Sequence, residues 1–273
     1  MEFLKMSYNI LFKEGIINYY KRKRNITYLD SKTVYSINYR NKTTKIVLNR
    51  KFGYVDMMIF KNGIYEKETI DDIFNSLNPD KVLLDIGSNI GQHSLLLAPY
   101  CKKIFAFEPI KQVYDQFNES IKYNNYKNIE TFNIGISDKK DAKNFNFVKN
   151  HAGTSSFIER DNTDIVENIT VHTDTLSNVL GNTKIDVMKI DVEGFEAVVV
   201  LGNKDFILKN NPILFLEFSP HWIKKEGTFT ASELFYFFID NQFEIYSRNS
   251  CKILSRNDLD IERQDNWIIK PIS

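Results

Sequence analysis

Residues 82–91 of the chain read Val82-Leu83-Leu84-Asp85-Ile86-Gly87-Ser88-Asn89-Ile90-Gly91. An apolar stretch of strand length leads directly into a turn with two glycines, and a helical pattern begins at Gln92. Glycine permits a tight turn and lets the backbone lie close against a ligand. The unit predicts the first crossover of an open α/β sheet, in which ligands bind at the carboxyl ends of the strands.

Short apolar runs alternate with helical stretches along the rest of the chain. The predicted strands are Val82–Ile86, Lys103–Phe107, Ile129–Ile134, Ile185–Ile190, Ile213–Phe218, Phe243–Tyr246 and Trp267–Ile269. The predicted helices between them are Gln92–Pro99, Ile110–Asn124, Glu196–Leu201 and Ala231–Asn241. This alternation predicts a doubly wound, Rossmann-like α/β sheet that is mostly parallel. The last two strands have no clear helix between them, so they predict an antiparallel edge.

Residues 1–60 are predicted to form an N-terminal extension to a main domain over residues 61–273. A helical pattern covers residues 3–20 and ends at the basic run Lys21–Arg24, and a hairpin follows with strands Thr33–Tyr39 and Lys45–Asn49. We expect the helix to dock on its own domain or on a twin subunit in a homo-oligomer. Contact between this helix and a membrane surface is the less favoured alternative.

Two further segments complete the organisation. Helical periodicity over Glu66–Leu77 precedes the first strand of the sheet. An insertion at about residues 143–180 interrupts the alternation, with predicted strands Asn144–Val148 and Ile169–His172 around Gly153-Thr154-Ser155-Ser156. The insertion is long enough to cover an active site.

Composition excludes several classes of protein. The 273 residues are 42% hydrophobic and 26% charged, as in a soluble globular protein, and the net charge of +1 argues against a nucleic-acid substrate. The two cysteines, Cys101 and Cys251, indicate reduced thiols in a cytoplasmic protein, and the four histidines lack zinc-site spacing. No apolar run reaches the roughly 20 residues that span a bilayer.

Acidic residues follow three successive strands of the predicted sheet. Glu108 ends the second strand, where an acid can accept hydrogen bonds from both ribose hydroxyls of a nucleoside. Asp138 lies just past the third strand, in reach of an adenine amino group, and Asp85 is predicted to face a cationic group. Asn89 and Gln92 stand where the dinucleotide fingerprint requires glycine. The pattern favours a nucleoside that carries an amino and a sulfonium group over a pyrophosphate.

These residues resemble the FkbM-type methyltransferases, which are S-adenosylmethionine enzymes of natural-product and surface-glycan pathways. The resemblance runs from about Gly63 to Ser247. Its motifs are Gly63-Ile64-Tyr65-Glu66-Lys67-Glu68, Asp85-Ile86-Gly87-Ser88-Asn89-Ile90-Gly91, Phe107-Glu108-Pro109, Gly135-Ile136-Ser137-Asp138, Gly153-Thr154-Ser155-Ser156, Thr173-Asp174-Thr175-Leu176 and Lys189-Ile190-Asp191-Val192-Glu193-Gly194-Phe195-Glu196. The last motif is the most specific of the set.

The resemblance implies S-adenosylmethionine as the cofactor and a sugar hydroxyl of a surface glycan, or a related small molecule, as the methyl acceptor. It alone implies that Tyr65 and Glu66 line the cofactor or substrate pocket. The complete predicted cofactor-binding set is Glu66, Asp85, Gly87, Ser88, Asn89, Gly91, Glu108, Ser137, Asp138 and Asp191.

A hydroxyl is a poor nucleophile until a base removes its proton. Asp191 and Glu193 leave the fourth strand two residues apart, and Glu217 ends the fifth strand in the same crevice. Crowded carboxylates either raise one another's pKa, so that one becomes a usable base, or hold a divalent metal. We favour the base and predict no metal, with Asp191 and Glu193 as first choice. His221 is the second choice and His151 the third.

Two other functions remain open on the sequence. A nicotinamide-dependent oxidoreductase is opposed by Asn89 and Gln92, and a non-catalytic scaffold is opposed by the intact glycine turn and strand-end acids. Methylation of nucleic-acid bases is opposed by the charge balance and by Asp191-Val192-Glu193-Gly194, where those enzymes carry a Pro-Pro-aromatic turn.

Overall fold

The computed structural model describes residues 32–49, 53–148 and 166–272. The helix predicted over residues 3–20, its basic run, His151 and the segment Gly153–Ser156 lie outside the described residues. Among the described residues, no helix has the length and apolar character needed to span a membrane.

The predicted hairpin is confirmed, and two helices follow it. β1 (Thr33–Tyr39) pairs antiparallel with β2 (Lys42–Leu48) through a turn at residues 40 and 41, shorter than predicted because β2 begins at Lys42. α1 (Tyr54–Asn62) was not predicted, whereas α2 (Lys67–Ser76) confirms the predicted helix before the sheet.

The remaining elements alternate as the sequence predicts. The strands are β3 (Val82–Ile86), β4 (Lys103–Phe107), β5 (Ile129–Phe132), β6 (Gly135–Ile136), β7 (Asp141–Val148), β8 (Val166–Asp174), β9 (Val187–Ile190), β10 (Ile213–Phe218), β11 (Phe243–Ser247), β12 (Lys252–Ile253) and β13 (Asp265–Pro271). The helices are α3 (Gln92–Leu97), α4 (Lys111–Asn124), α5 (Leu176–Leu180), α6 (Glu196–Gly202), α7 (Lys204–Asn210), α8 (Pro220–Glu226) and α9 (Ala231–Asp240), with a 3₁₀ turn at Ala98–Tyr100.

The central sheet has the strand order β12-β11-β13-β10-β9-β3-β4-β5. β5, β4, β3, β9 and β10 are mutually parallel, so the predicted doubly wound, mostly parallel sheet is confirmed. After β3 the chain runs outward through β4 and β5 and then returns to β9 on the other side of β3. The order therefore reverses between β3 and β9, and a ligand is expected at the carboxyl ends of these two strands.

The antiparallel pairing at the C-terminus is also confirmed, but its position differs from the prediction. β13 pairs antiparallel with both β10 and β11, so the last strand lies inside the sheet. The edge is the short strand β12, which is antiparallel to β11. A terminal strand inserted between two others pairs with segments that are remote in sequence, which apolar patterning does not specify.

The insertion forms a separate three-stranded sheet of order β6-β8-β7. β7 and β8 pair antiparallel from Asp141↔Thr173 to Val148↔Val166, and both strands are longer than predicted. The third predicted strand is shorter than expected, because β5 ends at Phe132 and not at Ile134. Gly135 and Ile136 form a separate short strand that pairs with β8. The small sheet therefore begins beside the carboxyl end of β5.

The hairpin and the main domain share one core. Ile46 and Leu48 of β2 belong to the same buried cluster as Leu95 of α3 and Phe117 of α4. The Val47 backbone N–H donates to Ser120 Oγ at 2.9 Å, and this satisfies a strand group that would otherwise be buried without a partner. The described part of the N-terminal extension thus covers the α3 and α4 face of the sheet.

Candidate active site

The turn between β3 and α3 is built on left-handed backbone conformations at Gly87 (φ 79°), Asn89 (φ 50°) and Gly91 (φ 79°). A Cβ at Gly87 would lie 1.8 Å from the carbonyl oxygen of Asp191, so a side chain there would collide with the end of β9. The prediction for Gly91 needs correction. A Cβ there would lie 2.0 Å from the ring of Phe117, so this glycine serves packing against α4 rather than the approach of a ligand.

Glu108, at the end of β4, lies in an open cavity of about 640 Å³. The carboxylate is 5% exposed and accepts the backbone N–H of Asn89 at 2.9 Å and that of Ile110 at 2.8 Å. Burial raises the pKa of Glu108 to about 7, against the lowering effect of these two hydrogen bonds. The lining of this first cavity comprises Ile86, Gly87, Asn89, Phe107, Glu108, Pro109, Ile110, Ile134, Gly135, Ile136, Phe145, Asp191, Val192, Glu193 and Phe195.

Ser137 and Asp138 do not line this cavity, contrary to prediction. Ser137 is fully buried, and its hydroxyl donates to Asp138 Oδ1 at 2.9 Å. The Asp138 side chain is 32% exposed and lies 3.9 Å from Lys143 Nζ. The chain turns into β6 after β5, and so residues 134–136 line the wall in their place. The structure gives no support for a direct contact between Asp138 and an adenine.

Asp85 also lies elsewhere than predicted. It is 1% exposed, accepts the hydroxyl of Ser94 at 2.6 Å, and has Lys189 Nζ 3.6 Å from its Oδ1. The side chain is among the lining residues of neither cavity at this end of the sheet. Asp85 therefore acts on the site through Lys189 and does not face a cationic ligand.

Lys189 is a site residue that sequence reasoning missed. Its ammonium is 3.1 Å from Asp191 Oδ2 and donates to the carbonyl oxygen of Gly87 at 3.2 Å, so it joins the ends of β3 and β9. Burial lowers the pKa of Lys189, but the charges of Asp191 and Asp85 outweigh it and hold the pKa above its usual value. A lysine inside an otherwise apolar strand was the available signal, because such a residue needs buried acidic partners.

Asp191, Glu193 and Glu217 meet at the carboxyl ends of β9 and β10. One carboxylate oxygen from each lies within 4.8 Å of the others, in the only such group of potential metal ligands among the described residues. The predicted convergence of the three acids is thus present in the structure. Burial, followed by the charges of Asp191 and Glu193, raises the pKa of Glu217 to about 10. The ammonium of Lys189 holds the pKa of Asp191 below its usual value despite burial.

A second cavity, of about 690 Å³, adjoins the first. Its lining comprises Tyr54, Val55, Tyr65, Glu66, Gly87, Ser88, Asn89, Ile90, Gln92, His93, Lys189, Asp191, Glu193 and Glu217. Gly87, Asn89, Asp191 and Glu193 are shared with the first cavity. Ser88 is buried, and its hydroxyl donates to the Phe107 carbonyl at 3.2 Å.

Gln92 positions Glu66 in this second cavity. Its side chain accepts the backbone N–H of Tyr65 and donates to the Tyr65 carbonyl, each at 2.8 Å, which ties the segment before α2 to the glycine turn. Burial and the charge of Asp191 raise the pKa of Glu66 to about 7. The glutamine that breaks the dinucleotide fingerprint therefore has a structural role of its own.

The structure places His93, and not His221, at the second cavity. His221 is exposed on α8, stacks edge-on against Trp222 at 4.9 Å, and lines neither cavity. Its predicted role as a base receives no support from this position. His93 is not among the predicted site residues, but it is 8% exposed and lines the second cavity, with its Nε2 3.7 Å from Glu66 Oε2.

Known proteins resemble this chain at several levels. AMB antimetabolite synthetase AmbE of Pseudomonas aeruginosa is 25% identical over an alignment of 254 residues, and the match covers 78% of this chain and 11% of that protein. The Methanocaldococcus jannaschii protein MJ1452 is 32% identical over 94 residues, which is 34% of this chain and 30% of that protein. This chain thus spans about a tenth and under a third of the two curated relatives.

Solved structures resemble the chain at low identity. Methyltransferase FkbM from Methylobacillus flagellatus is 12% identical with a TM-score of 0.45, over 78% of this chain and 52% of that one. Streptococcus mutans SMU.1697c, solved in complex with SAH, is 14% identical with a TM-score of 0.47, over 76% of this chain and 97% of that one. The model of the methyltransferase FkbM domain matches residues 85–245. Since this match covers more than half of the chain, the protein belongs to the FkbM methyltransferase family.

Proposed function

We propose that the chain is an S-adenosylmethionine-dependent O-methyltransferase that acts on a sugar hydroxyl of a surface glycan or on a related small molecule. The observation that carries this proposal is the meeting of Asp191, Glu193 and Glu217 within 4.8 Å, beside the cavity that contains Glu108. A group that binds a nucleoside and a group that can accept a proton are thereby adjacent at the point where the strand order reverses.

The residues of the first cavity fit S-adenosylmethionine. Each Glu108 oxygen accepts one backbone N–H and retains a lone pair, so the carboxylate can accept both ribose hydroxyls. Ile110, Ile136 and Phe145 supply apolar walls suited to the adenine base. When bound, this cofactor supplies the electrophilic methyl group and its own leaving group.

The chain itself supplies the proton acceptor. Asp191 and Glu193 line both cavities, so they lie where a methyl donor in one and a hydroxyl in the other would meet. Lys189 keeps Asp191 ionised and fixes its position, while Glu217 carries a proton at neutral pH. We assign the removal of the hydroxyl proton to the Asp191/Glu193 pair because of its position between the two cavities. The raised pKa that crowding predicts is not found at Asp191, because Lys189 lowers it.

We prefer a metal-free mechanism because donors of the chain already contact two of the three carboxylates in this cluster. The ammonium of Lys189 occupies one side of Asp191, and Gln264 Nε2 donates to Glu217 Oε1 at 2.5 Å. A divalent cation would compete with these two donors for the carboxylates of the cluster. The exposed free thiol of Cys251 supports a reducing compartment, and we propose the cytoplasm.

The test is calorimetric titration of the purified protein with S-adenosylhomocysteine and then with NAD, followed by transfer of labelled methyl groups to a panel of free sugars. We expect S-adenosylhomocysteine to bind, NAD not to bind, and the label to appear as an ether. Binding of NAD without binding of S-adenosylhomocysteine would replace the methyltransferase by an oxidoreductase. Label on nitrogen alone would remove the O-methyltransferase assignment and leave the cofactor in place.

A further inference from the structure

Among its charged lining residues, the second cavity has four acids and one base. Glu66, Asp191, Glu193 and Glu217 bring four carboxylates to it, and Lys189 is the one ammonium among its described lining residues. That ammonium already contacts Asp191, Asp85 and the carbonyl oxygen of Gly87. The one cationic donor of the cavity is therefore already engaged, which disfavours an anionic ligand such as a phosphate or a carboxylate.

The charge of the site stays negative when the cofactor is considered. With Asp85, and without Glu217, which carries a proton at neutral pH, four carboxylates lie around the single ammonium of Lys189. The sulfonium of S-adenosylmethionine adds one positive charge, since its amino and carboxylate groups cancel. The acids still outnumber the cations, wherever the amino-acid end of the cofactor lies. An anionic substrate would therefore be repelled from this site, and a cationic substrate would be attracted.

His93 gives an independent sign that a ligand occupies the cavity. The residue is 8% exposed and its Nε2 has no hydrogen-bond partner among the described residues, although Glu66 Oε2 lies 3.7 Å away. A buried ring nitrogen without a partner costs free energy that a bound donor would recover. Burial and the ammonium of Lys189 lower the pKa of His93 to about 4, so the ring is neutral and one nitrogen accepts.

Two tyrosines add ring surface to the same cavity. Tyr54 is 45% exposed and packs edge-on against Tyr65, with the ring centroids 6.2 Å apart. Aromatic faces attract ammonium groups and pack against the apolar faces of sugars. The two tyrosine rings, the carboxylates of the cavity and the unpartnered Nε2 of His93 together suit a ligand that is rich in hydrogen-bond donors.

We propose that the methyl acceptor is a hydroxyl compound bearing an ammonium group, such as an amino sugar, and that it binds in the second cavity. This inference rests on the proposed methyltransferase function and narrows its substrate class. The ammonium donates to the carboxylates, and the reacting hydroxyl lies near Asp191 and Glu193. Acidic and phosphorylated sugars are excluded by charge.

The experiment uses the full chain saturated with S-adenosylhomocysteine and matched probes on one scaffold: glucosamine, glucose, glucuronate and glucose 6-phosphate, with the galactose series as a repeat. Binding is followed by NMR of the histidine ring nitrogens. His93 is the reporter, assigned with His93→Asn, and the exposed His172 on β8 is the internal control. If His93→Asn does not fold, spin-labelled glucosamine, which broadens only nearby rings, provides the assignment. Glu66→Gln tests whether the cavity carboxylates create the preference.

We expect the amino sugars to shift the ring-nitrogen signal of His93 and to leave that of His172 unchanged. They should bind about tenfold more tightly than the acidic sugars, which corresponds to about 1.4 kcal/mol in binding free energy. Glu66→Gln should narrow this ratio. Equal or tighter binding of glucuronate or glucose 6-phosphate overturns the inference, as does a His93 signal that no sugar moves. Saturation of the His93 shift by S-adenosylhomocysteine alone would assign the cavity to the cofactor and also overturn it. Failure of S-adenosylhomocysteine to bind would instead remove the proposed function.

Discussion

Replacement of Glu108 by glutamine tests the assignment of the cofactor site most directly. The carboxylate accepts one backbone N–H on each oxygen, from Asn89 and from Ile110, and has one lone pair per oxygen for a ribose hydroxyl. Glutamine keeps the shape but replaces one oxygen by an NH₂ group. One ribose hydrogen bond is then lost and the other no longer has a charged partner. Since hydrogen bonds to charged groups contribute about 1.5–3 kcal/mol, we expect S-adenosylhomocysteine to bind roughly 10- to 150-fold more weakly.

The pH dependence sharpens this prediction. Burial raises the pKa of Glu108 to about 7 in the unliganded protein, whereas the ribose hydroxyls require the ionised form. Below pH 7 the ionised fraction falls with each unit, so wild-type affinity should weaken by about tenfold between pH 8 and pH 6. Glu108→Gln should lose the part of this dependence that Glu108 contributes. Isothermal titration calorimetry at both pH values measures the two effects together.

Asp138→Asn is the matched control, because Asp138 is a strand-end acid that does not line the first cavity. The partly exposed ion pair between Asp138 and Lys143 should contribute little to the stability of the fold. We expect the affinity of Asp138→Asn for S-adenosylhomocysteine to stay within about threefold of wild type. Near-ultraviolet circular dichroism checks that both variants fold. Unchanged affinity in folded Glu108→Gln, or an equal loss in Asp138→Asn, would refute the assignment of the ribose to Glu108.

Three further predictions concern the metal, a buried acid and the turn. Methyl transfer should survive exhaustive treatment with EDTA, and loss with recovery on adding magnesium or manganese would make the carboxylate cluster a metal site. Burial raises the pKa of Glu196 to about 8, so ionisation of Glu196 destabilises the fold as pH rises. Between pH 5 and pH 8 the free energy of unfolding of Glu196→Gln, measured in urea, should therefore rise by about 2–4 kcal/mol relative to that of wild type. A difference that stays constant with pH would contradict this prediction. Gly91→Ala should lower the stability of the fold by about 2–5 kcal/mol, because its Cβ meets the ring of Phe117. Gly227 also has a positive φ but has open space around it, so Gly227→Ala should lower the stability by about 1 kcal/mol. Equal losses of stability in thermal unfolding would refute the packing role of Gly91.

Sequence patterning predicts the centre of the sheet better than its periphery. The bounds of β3, β4 and β10 agree with prediction because each is a mostly apolar run that is followed by a glycine or a polar residue. Glu108 is placed correctly for the same reason, since the acid that ends β4 must lie at the carboxyl edge. The insertion of β13 between β10 and β11 depends on pairing between distant segments, and no local pattern encodes it.

The errors in the site also come from non-local contacts. Asp85 and Lys189 lie on different strands, and their ion pair appears only when β3 and β9 become neighbours. Asp138 follows β5 in sequence, but the pairing of Gly135 and Ile136 with β8 turns the chain away before it. A strand-end acid is therefore a reliable sign of a ligand only where the strand continues straight to the edge.

The identity of the base rests on how three adjacent carboxylates divide their protons. Asp191 is held ionised by Lys189, and Glu217 carries a proton at neutral pH because burial, and then its charged neighbours, raise its pKa. Asp191→Asn and Glu193→Gln remove a charge that the reaction uses, and each should lower kcat by about 10²- to 10⁴-fold, the range for a lost general base. Affinity for S-adenosylhomocysteine should remain nearly intact.

Glu217→Gln is the control within the same cluster. Glutamine resembles the protonated carboxyl that already stands there, and it preserves a partner for Gln264, so we expect a loss of less than about tenfold in kcat at pH 7. Steady-state rates with labelled cofactor, measured beside calorimetric affinities, separate the three variants. If Glu217→Gln is inactive while the other two turn over normally, the proton passes to Glu217. If all three turn over normally, the acceptor needs no base, and a hydroxyl acceptor is wrong.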